Sequence, residues 1–235
     1  MALNEAGFSI IDLPAASTEL LASYDNLPVD EYMGHGTRFK RFCQYRLSQD
    51  RDSGCSFELL PQRDYTTFVK FNPVAGGIRR RYEPVEVDFT DLLRAGVQGF
   101  PLDLSEDWSI NLHQNRSQAT NASTAPLTPE GVHHDGHDYV MIGVLRRANV
   151  GGALTRLWKP GADEPFWSGT IEEGQAVLLD DRAIQHDVTD VESIDGRPAN
   201  RDIFIAAFSR WSRKWYGDEH DAKALADGTS GTTED

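Results

Sequence analysis

Apolar positions along the chain follow two periods. Between residues 17 and 34, Leu20, Leu21, Tyr24 and Leu27 recur at three-and-four spacing, on one helical face, and Ser17 stands where an N-cap belongs. A second helical stretch is predicted over residues 88–97. From Thr37 the pattern shortens: RFKRFCQYRL and DYTTFVKFNP, bounded by Gly, Pro, Asp or Ser, read as strands. Beyond Trp108 it becomes strongly β. WSINLHQNRSQA, HDYVMIGVLRR, GALTRLWKP, GQAVLLDD, HDVTDVESI and RDIFIAAFSRW are strand-length and rich in β-branched or aromatic residues. Turn signals separate them, clearest at Asn149-Val150-Gly151-Gly152, Lys159-Pro160-Gly161 and Asp195-Gly196-Arg197-Pro198. The expected fold is mainly β with flanking helices, an antiparallel sandwich or jelly roll.

Composition narrows the function classes. A chain of 235 residues, 39% hydrophobic and 10% aromatic, is long enough and apolar enough for one sizeable core. A net charge of -14 argues against an extended nucleic-acid surface, which needs clustered Lys and Arg. The run Arg79-Arg80-Arg81 could neutralise a small acidic ligand, although such a run is more often a solvated face. No segment reads as a membrane span, and MALNEAGFSIIDLP lacks a basic start leading into a long apolar run. With Cys43 and Cys55 the only cysteines, the simplest expectation is two free thiols in a reducing cytoplasm. After Tyr216 the tail is acidic and lacks aromatic anchors, so residues 217–235 are expected to be disordered and without function.

Candidate chemistry concentrates in Gly131-Val132-His133-His134-Asp135-Gly136-His137-Asp138-Tyr139, just before an apolar strand. Two imidazoles and one carboxylate with open positions suit a non-haem Fe(II) oxygenase site. Side chains alternate along extended backbone, so His133 and Asp135 share a face while His134 points away. His137 has the same parity, but a turn at Gly136 would carry it off the site. A third ligand must come from elsewhere. His186 opens a late strand that can lie beside an early one, and His113, in a strand just upstream, is the competing candidate. His220 falls in the expected disordered tail.

From about Arg38 to Trp211 the chain resembles the bacterial 2-oxoglutarate-Fe(II) dioxygenase family that includes free L-amino-acid hydroxylases such as L-isoleucine dioxygenase. The stretches that carry the resemblance are FNPVAGG with Arg81-Tyr82-Glu83-Pro84, LHQNRSQA, HHDGHDYVMIGVL, NVGGALTRLW, QHDVT and NRDIFIAAF, in that order. It implies a double-stranded β-helix core of the jelly-roll, cupin-like kind, with His133, Asp135 and His186 as iron ligands. It further implies Fe(II) as cofactor, 2-oxoglutarate and O2 as co-substrates, and Arg201 as the partner of the 2-oxoglutarate distal carboxylate. A planar, always charged guanidinium opening the last core strand suits that role, and Arg197, in a turn beside Pro198, is the less rigidly placed rival. In LHQNRSQA, His113, Asn115 and Ser117 share one face and Gln114, Arg116 and Gln118 the other. Gln114 and Arg116 match the family's polar pair and are expected to contact the co-substrate or substrate. Tyr139 is expected to pack in the core, and the Asn72-Pro73 and Gly76-Gly77 loop could overlie the site mouth.

The organisation that follows is one dioxygenase domain over residues 1–216, with an N-terminal α/β layer over about 1–104, a jelly-roll core over about 105–216 and the tail beyond. The expected reaction is hydroxylation of an unactivated C–H bond in a free L-amino acid or close derivative, with 2-oxoglutarate converted to succinate and CO2. The expected partner is a small amino-acid-like molecule, with no nucleic acid and no membrane, and self-association into a homo-oligomer is compatible with the sequence. Rival readings are a cupin-like metalloenzyme that does not use 2-oxoglutarate, a non-catalytic small-molecule-binding barrel, and a hydroxylase of protein or peptide side chains.

Overall fold

Strands whose two faces are both apolar need cover on both sides, and that requirement organises this chain. The computed structural model describes residues 3–33 and 35–229. In chain order it forms β1 (Phe8–Asp12), α1 (Thr18–Ser23) continued by a 3-10 turn (Tyr24–Asn26), β2 (Arg38–Asp50), β3 (Gly54–Leu59), α2 (Thr90–Gly99) and β4 (Trp108–Ala119). There follow β5 (Tyr139–Ala148), β6 (Val150–Gly152), β7 (Thr155–Trp158), β8 (Trp167–Gly169), β9 (Gln175–Asp180), β10 (Gln185–Val188) and β11 (Val191–Ser193). The chain then runs through β12 (Ala199–Arg210), a 3-10 turn (Trp211–Arg213) and α3 (Asp218–Thr229).

Seven strands build one antiparallel sheet in the order β1-β9-β5-β12-β4-β2-β3, opposed by the smaller sheets β10-β7-β8 and β11-β6. This is the expected mainly β jelly roll. One face of the large sheet, with Trp108, Ile110 and Leu112 of β4 and Phe204, Ala206 and Phe208 of β12, packs on Leu20 of α1 and Leu92 and Leu93 of α2. The opposite face, with Val140, Ile142 and Val144 of β5 and Ile203 and Ala207 of β12, closes on Leu157 of β7. Period-two alternation sorts the two cores: even-numbered residues of β4 and β12 face the helices, odd-numbered ones face the jelly-roll interior.

Several elements differ from the sequence expectations. The helix after Ser17 is short, capped by a hydrogen bond from Leu20 N to Ser17 Oγ (3.1 Å). Residues 64–73 do not form a strand; beyond the single bridge Tyr65↔Arg80, Phe71 N and Asn72 N both donate to the Phe68 carbonyl, closing a turn. Their rings recur every third residue (Tyr65, Phe68, Phe71) rather than alternately, and pack on His113, Trp215 and His220. Residues 186–194 divide into β10 and β11. The N-terminal part is no separate layer, because β2 pairs with β4 from Arg38↔Ser117 to Leu47↔Trp108 and β1 extends the sheet beside β9.

The expected disordered tail is corrected over residues 218–229, which form α3; residues 230–235 lie outside the described residues. Polar anchors dock this helix alongside the burial of Ala224 and the packing of His220 on Phe68 and Trp215. Asp221 accepts from Arg63 (2.7 Å) and Thr66 (2.9 Å), Asp227 accepts from Val69 N (2.7 Å), and Gly228 approaches the backbone of Gly77 with no room for a Cβ. Asp218, Glu219 and Asp221 in its first turn also complement the helix dipole. Cys43 and Cys55 are free and buried. No helix among the described residues is long and apolar enough to cross a membrane.

Candidate metal centre

His133 and His186 face each other across a two-way backbone bridge: His133 N donates to the His186 carbonyl (3.1 Å) and His186 N to that of His133 (2.9 Å). Their ring centroids lie 4.6 Å apart. Asp135, two residues beyond His133, reaches both, with Oδ1 3.3 Å from His133 Nε2 and Oδ2 3.8 Å from His186 Nε2. One ligand atom from each residue lies within 4.8 Å of the others, the compass of a single ion. His133 Nδ1 stands 2.8 Å from the Gly131 carbonyl, which can only accept, so Nδ1 carries a proton and Nε2 is the nitrogen turned toward Asp135 and His186.

The loop holding Asp135 is clamped by a second carboxylate. Asp181 accepts from the consecutive backbone N–H groups of Asp135 (3.0 Å), Gly136 (2.7 Å) and His137 (2.9 Å). Gly136 sits at φ +90 with its Cα against the Phe71 ring, where a side chain would clash. The turn there sends His137 away from the three ligand groups, to Ser209 Oγ (2.9 Å) and against Trp215. His134 points to a different cleft, shared with Phe68 and Arg182.

Electrostatics separate the two imidazoles. Burial lowers the pKa of His133, but the hydrogen bond and charge of Asp135 outweigh it and lift the group to about 9. Burial takes His186 down to about 4, only partly opposed by Asp135. Burial acts to raise Asp135, yet His133 and His186 hold it well below the usual carboxylate range. Asp181 is pushed up to about 7 by burial and by the neighbouring Asp135.

A cavity of about 110 Å³ opens beside the three groups. On its wall Arg201, 2% exposed, extends from β12 opposite Ser117 of β4 and Arg147 of β5. Arg201 Nε and Nη2 are buried without a hydrogen-bond partner, and burial followed by the charge of Arg147 pushes its pKa down to about 9. A bidentate carboxylate would satisfy both nitrogens. Arg197 is elsewhere: its side chain is 83% exposed on a turn and paired with Asp195. His113 lines the cavity, packed on Phe42 and Tyr65, and stands outside the ligand cluster.

Gln114 and Arg116 require a correction. Both lie on the helix side of β4, not in the cavity, because they share parity with Trp108, Ile110 and Leu112. Gln114 donates to Ser23 Oγ (2.7 Å), and Arg116 forks onto Asp202 (2.6 and 2.8 Å) while reaching Asp25 (2.9 Å). The residues of β4 that line the cavity are His113, Asn115 and Ser117. Tyr139 fills the helix-side core, stacked on Phe100. Sequence reasoning missed Lys40, Tyr65 and Glu130 on the cavity wall, and treated as minor the arginine run whose middle member, Arg80, lies buried there.

The two histidines, the carboxylate and the orphaned Arg201 fit an iron centre with a dicarboxylate co-substrate. The family profile described as 2OG-Fe dioxygenase matches residues 21–207. Among solved structures, a bsmA homolog from Methylobium petroleophilum PM1 is similar with a TM-score of 0.72 at 22% identity, covering 87% of this chain and 89% of that one. IDO from Bacillus thuringiensis is similar at 0.69 and 20% identity, covering 87% and 94%. TqaL, described as an Fe(II)/(alpha)ketoglutarate-dependent dioxygenase, is similar at 0.59 and 20% identity, covering 86% and 78%. No curated protein matches the chain in sequence. The chain belongs to the 2-oxoglutarate-Fe(II) dioxygenase family, which makes iron(II) its cofactor and 2-oxoglutarate and O2 its co-substrates.

Proposed function

We propose that this dioxygenase hydroxylates an unactivated C–H bond of a free L-amino acid or close derivative, with His133, Asp135 and His186 as the iron ligands and Arg201 as the seat of the 2-oxoglutarate distal carboxylate. The observation that carries the substrate class is the cavity lining: a small space against His133, Asp135 and His186 bears buried cations and a carboxylate, Glu130, whose Oε1 lies 3.6 Å from His133 Nε2. Arg80 and Lys40, 2% and 5% exposed, supply cations, and Glu130 supplies a carboxylate whose Oε2 is buried without a partner. A zwitterion needs that combination, a cation for its carboxylate and an acid for its amine.

Iron with 2-oxoglutarate and O2 supplies the oxidant, and the co-substrate leaves as succinate and CO2. The chain's own part is positioning and exclusion of water. Arg201, opposite Ser117 on the next strand, would hold the distal carboxylate of the co-substrate in the cavity it shares with His133, Asp135 and His186. Ile142, Ile203 and Ile205 line the same space and keep water from competing at the reacting carbon. Asn115, with Oδ1 buried and unpartnered, offers a further acceptor to a bound amine or hydroxyl.

Incubation of the Fe(II)-loaded protein with 2-oxoglutarate and pooled L-amino acids tests this. The expected result is succinate formation stimulated by the pool, with one amino acid gaining one oxygen atom by mass spectrometry. Succinate formation that no free amino acid stimulates, but a peptide does, would overturn the reading.

A further inference from the structure

The charges left over after the metal and co-substrate are accounted for constrain the substrate further, given the amino-acid reading above. Iron(II), Asp135, the 2-oxoglutarate dianion and Arg201 together cancel. Around the rest of the cavity stand three cations, Arg38, Lys40 and Arg80, and one carboxylate, Glu130. Arg38 is neutralised by the buried Asp30, at 2.9 Å from Nε to Oδ2. With Lys40 protonated, one positive charge remains beyond what Asp30 and Glu130 can balance.

That excess sits on Lys40 and Arg80. Among the described residues neither has a carboxylate within 4.0 Å. Arg80 lies over the Tyr65 ring at 4.6 Å, touches only the weak acceptor Met33 Sδ (3.6 Å) through Nη1, and leaves Nε buried and unpartnered. Lys40 Nζ lies 5.7 Å from the same Tyr65 ring and 4.7 Å from that of Tyr82. Aromatic faces attract cations but do not neutralise them, and buried charges are as a rule paired. Burial, followed by repulsion from Arg38, holds the Lys40 ammonium well below its ordinary pKa, with Asp30 and Glu130 offsetting only part of it, so an anion bound beside Lys40 and Arg80 is what would keep the charged form.

We infer that the substrate is an amino acid carrying a second acidic group, a net monoanion rather than a neutral zwitterion, whose additional anion is received by Arg80 and Lys40. A neutral zwitterion would leave the excess charge in place, whereas a monoanion cancels it. Two kinds of amino-acid derivative are monoanionic: one with a second acid and one with a blocked amine. Glu130 favours the first, since its unpartnered Oε2 is an acceptor suited to an ammonium.

Calorimetry on the protein loaded with redox-inert Zn(II) and saturated with 2-oxoglutarate measures binding without turnover. The ligands are acid and amide pairs, L-aspartate with L-asparagine and L-glutamate with L-glutamine, and the N-acetyl amides. In at least one pair the acid should bind about tenfold or more tighter than its amide, and tighter than the N-acetyl amide. Arg80→Gln and Lys40→Gln should each shrink that preference while leaving 2-oxoglutarate affinity unchanged, which also reports that the variants are folded; Arg201→Gln should show the converse. Amides that match or exceed their acids, or a preference that survives both variants, overturn the inference and leave the amino-acid reading standing. N-acetyl amides binding tightest overturn its second-acid form. Binding of 2-oxoglutarate with none of a full panel of amino acids overturns the amino-acid reading and the inference with it.

Discussion

Both faces of the central sheet bury an arginine, and the two are held in opposite ways. Arg116, on the helix side, carries its counter-ions within the chain, forked onto Asp202 and joined by Asp25, which raises its pKa. Arg201, on the interior side of the adjacent strand, has two unpartnered nitrogens and a pKa pushed down to about 9 by burial and then by Arg147. Breaking an internally paired buried cation strands its partner, whereas an unpartnered one keeps hydrogen-bonding capacity that a ligand could fill. The polar residues of β4 divide in the same manner, with Arg116 serving the core and His113, Asn115 and Ser117 lining the cavity.

Removing the proposed iron ligands should break the interior side most severely. His133→Ala and His186→Ala are each expected to abolish iron retention and reduce 2-oxoglutarate turnover by on the order of a thousandfold, read by metal analysis and succinate formation. His134→Ala, whose ring faces another cleft, should be far milder; near-normal turnover by His133→Ala would remove that residue from the ligand set.

The two arginines can then be set against each other. Arg201→Ala should raise the 2-oxoglutarate concentration needed for half-maximal turnover by about a hundredfold, without releasing iron or lowering the melting temperature. Arg116→Ala should do the reverse, destabilising the fold by about 3 kcal/mol, because it leaves the buried Asp202 with only the more distant Arg146 as counter-ion, while the 2-oxoglutarate requirement stays put. Denaturant titration alongside succinate kinetics separates these outcomes, and a large kinetic defect in Arg116→Ala would restore it as a contact of the co-substrate.

Metal uptake should depend on pH with a defined sign. In the metal-free protein the Asp135 carboxylate raises His133 to about 9 against the opposing effect of burial, so His133 carries a proton at pH 7, while His186, lowered to about 4, does not. Metal must displace that one proton. Apparent affinity should climb by about tenfold per pH unit and level off above about pH 9, with close to one proton released per ion at pH 7. Calorimetry in buffers of different ionisation enthalpy counts it, and no release would show that His133 is not the displaced group. The smallest effect is expected from Arg197→Ala, within about 0.5 kcal/mol in stability and unchanged in co-substrate requirement, since its side chain is exposed and paired locally with Asp195.

Much of this arrangement was legible in the residue pattern, and the failures have physical causes. Parity along extended backbone separates His133 and Asp135 from His134, and the glycine turn diverts His137, both local effects. Parity also divided β4 into its two faces; the choice of the Gln114 and Arg116 face rested on the family resemblance, and it is the other face that lines the cavity. Trp108, Ile110 and Leu112 mark the helix side, and Gln114 and Arg116 continue their parity. Where a sheet is covered on both faces, polarity alone does not tell a cavity from a core. Helix α3 was invisible to a criterion based on apolar burial because its anchors, Arg63, Thr66 and Val69 N, lie more than a hundred residues away. Arg80 and Lys40 could not be read as cavity residues without the loop that packs Tyr65 against both of them and against Phe42 of β2 and His113 of β4.

The three consecutive amides gathered by Asp181 bear on how the protein keeps its metal. Their hydrogen bonds tie the Asp135 turn to Asp181 from within the chain, so the position of Asp135 rests on a second carboxylate that is itself outside the His133, Asp135 and His186 cluster. Loss of that anchor in Asp181→Ala should therefore weaken iron retention although none of the three residues is changed.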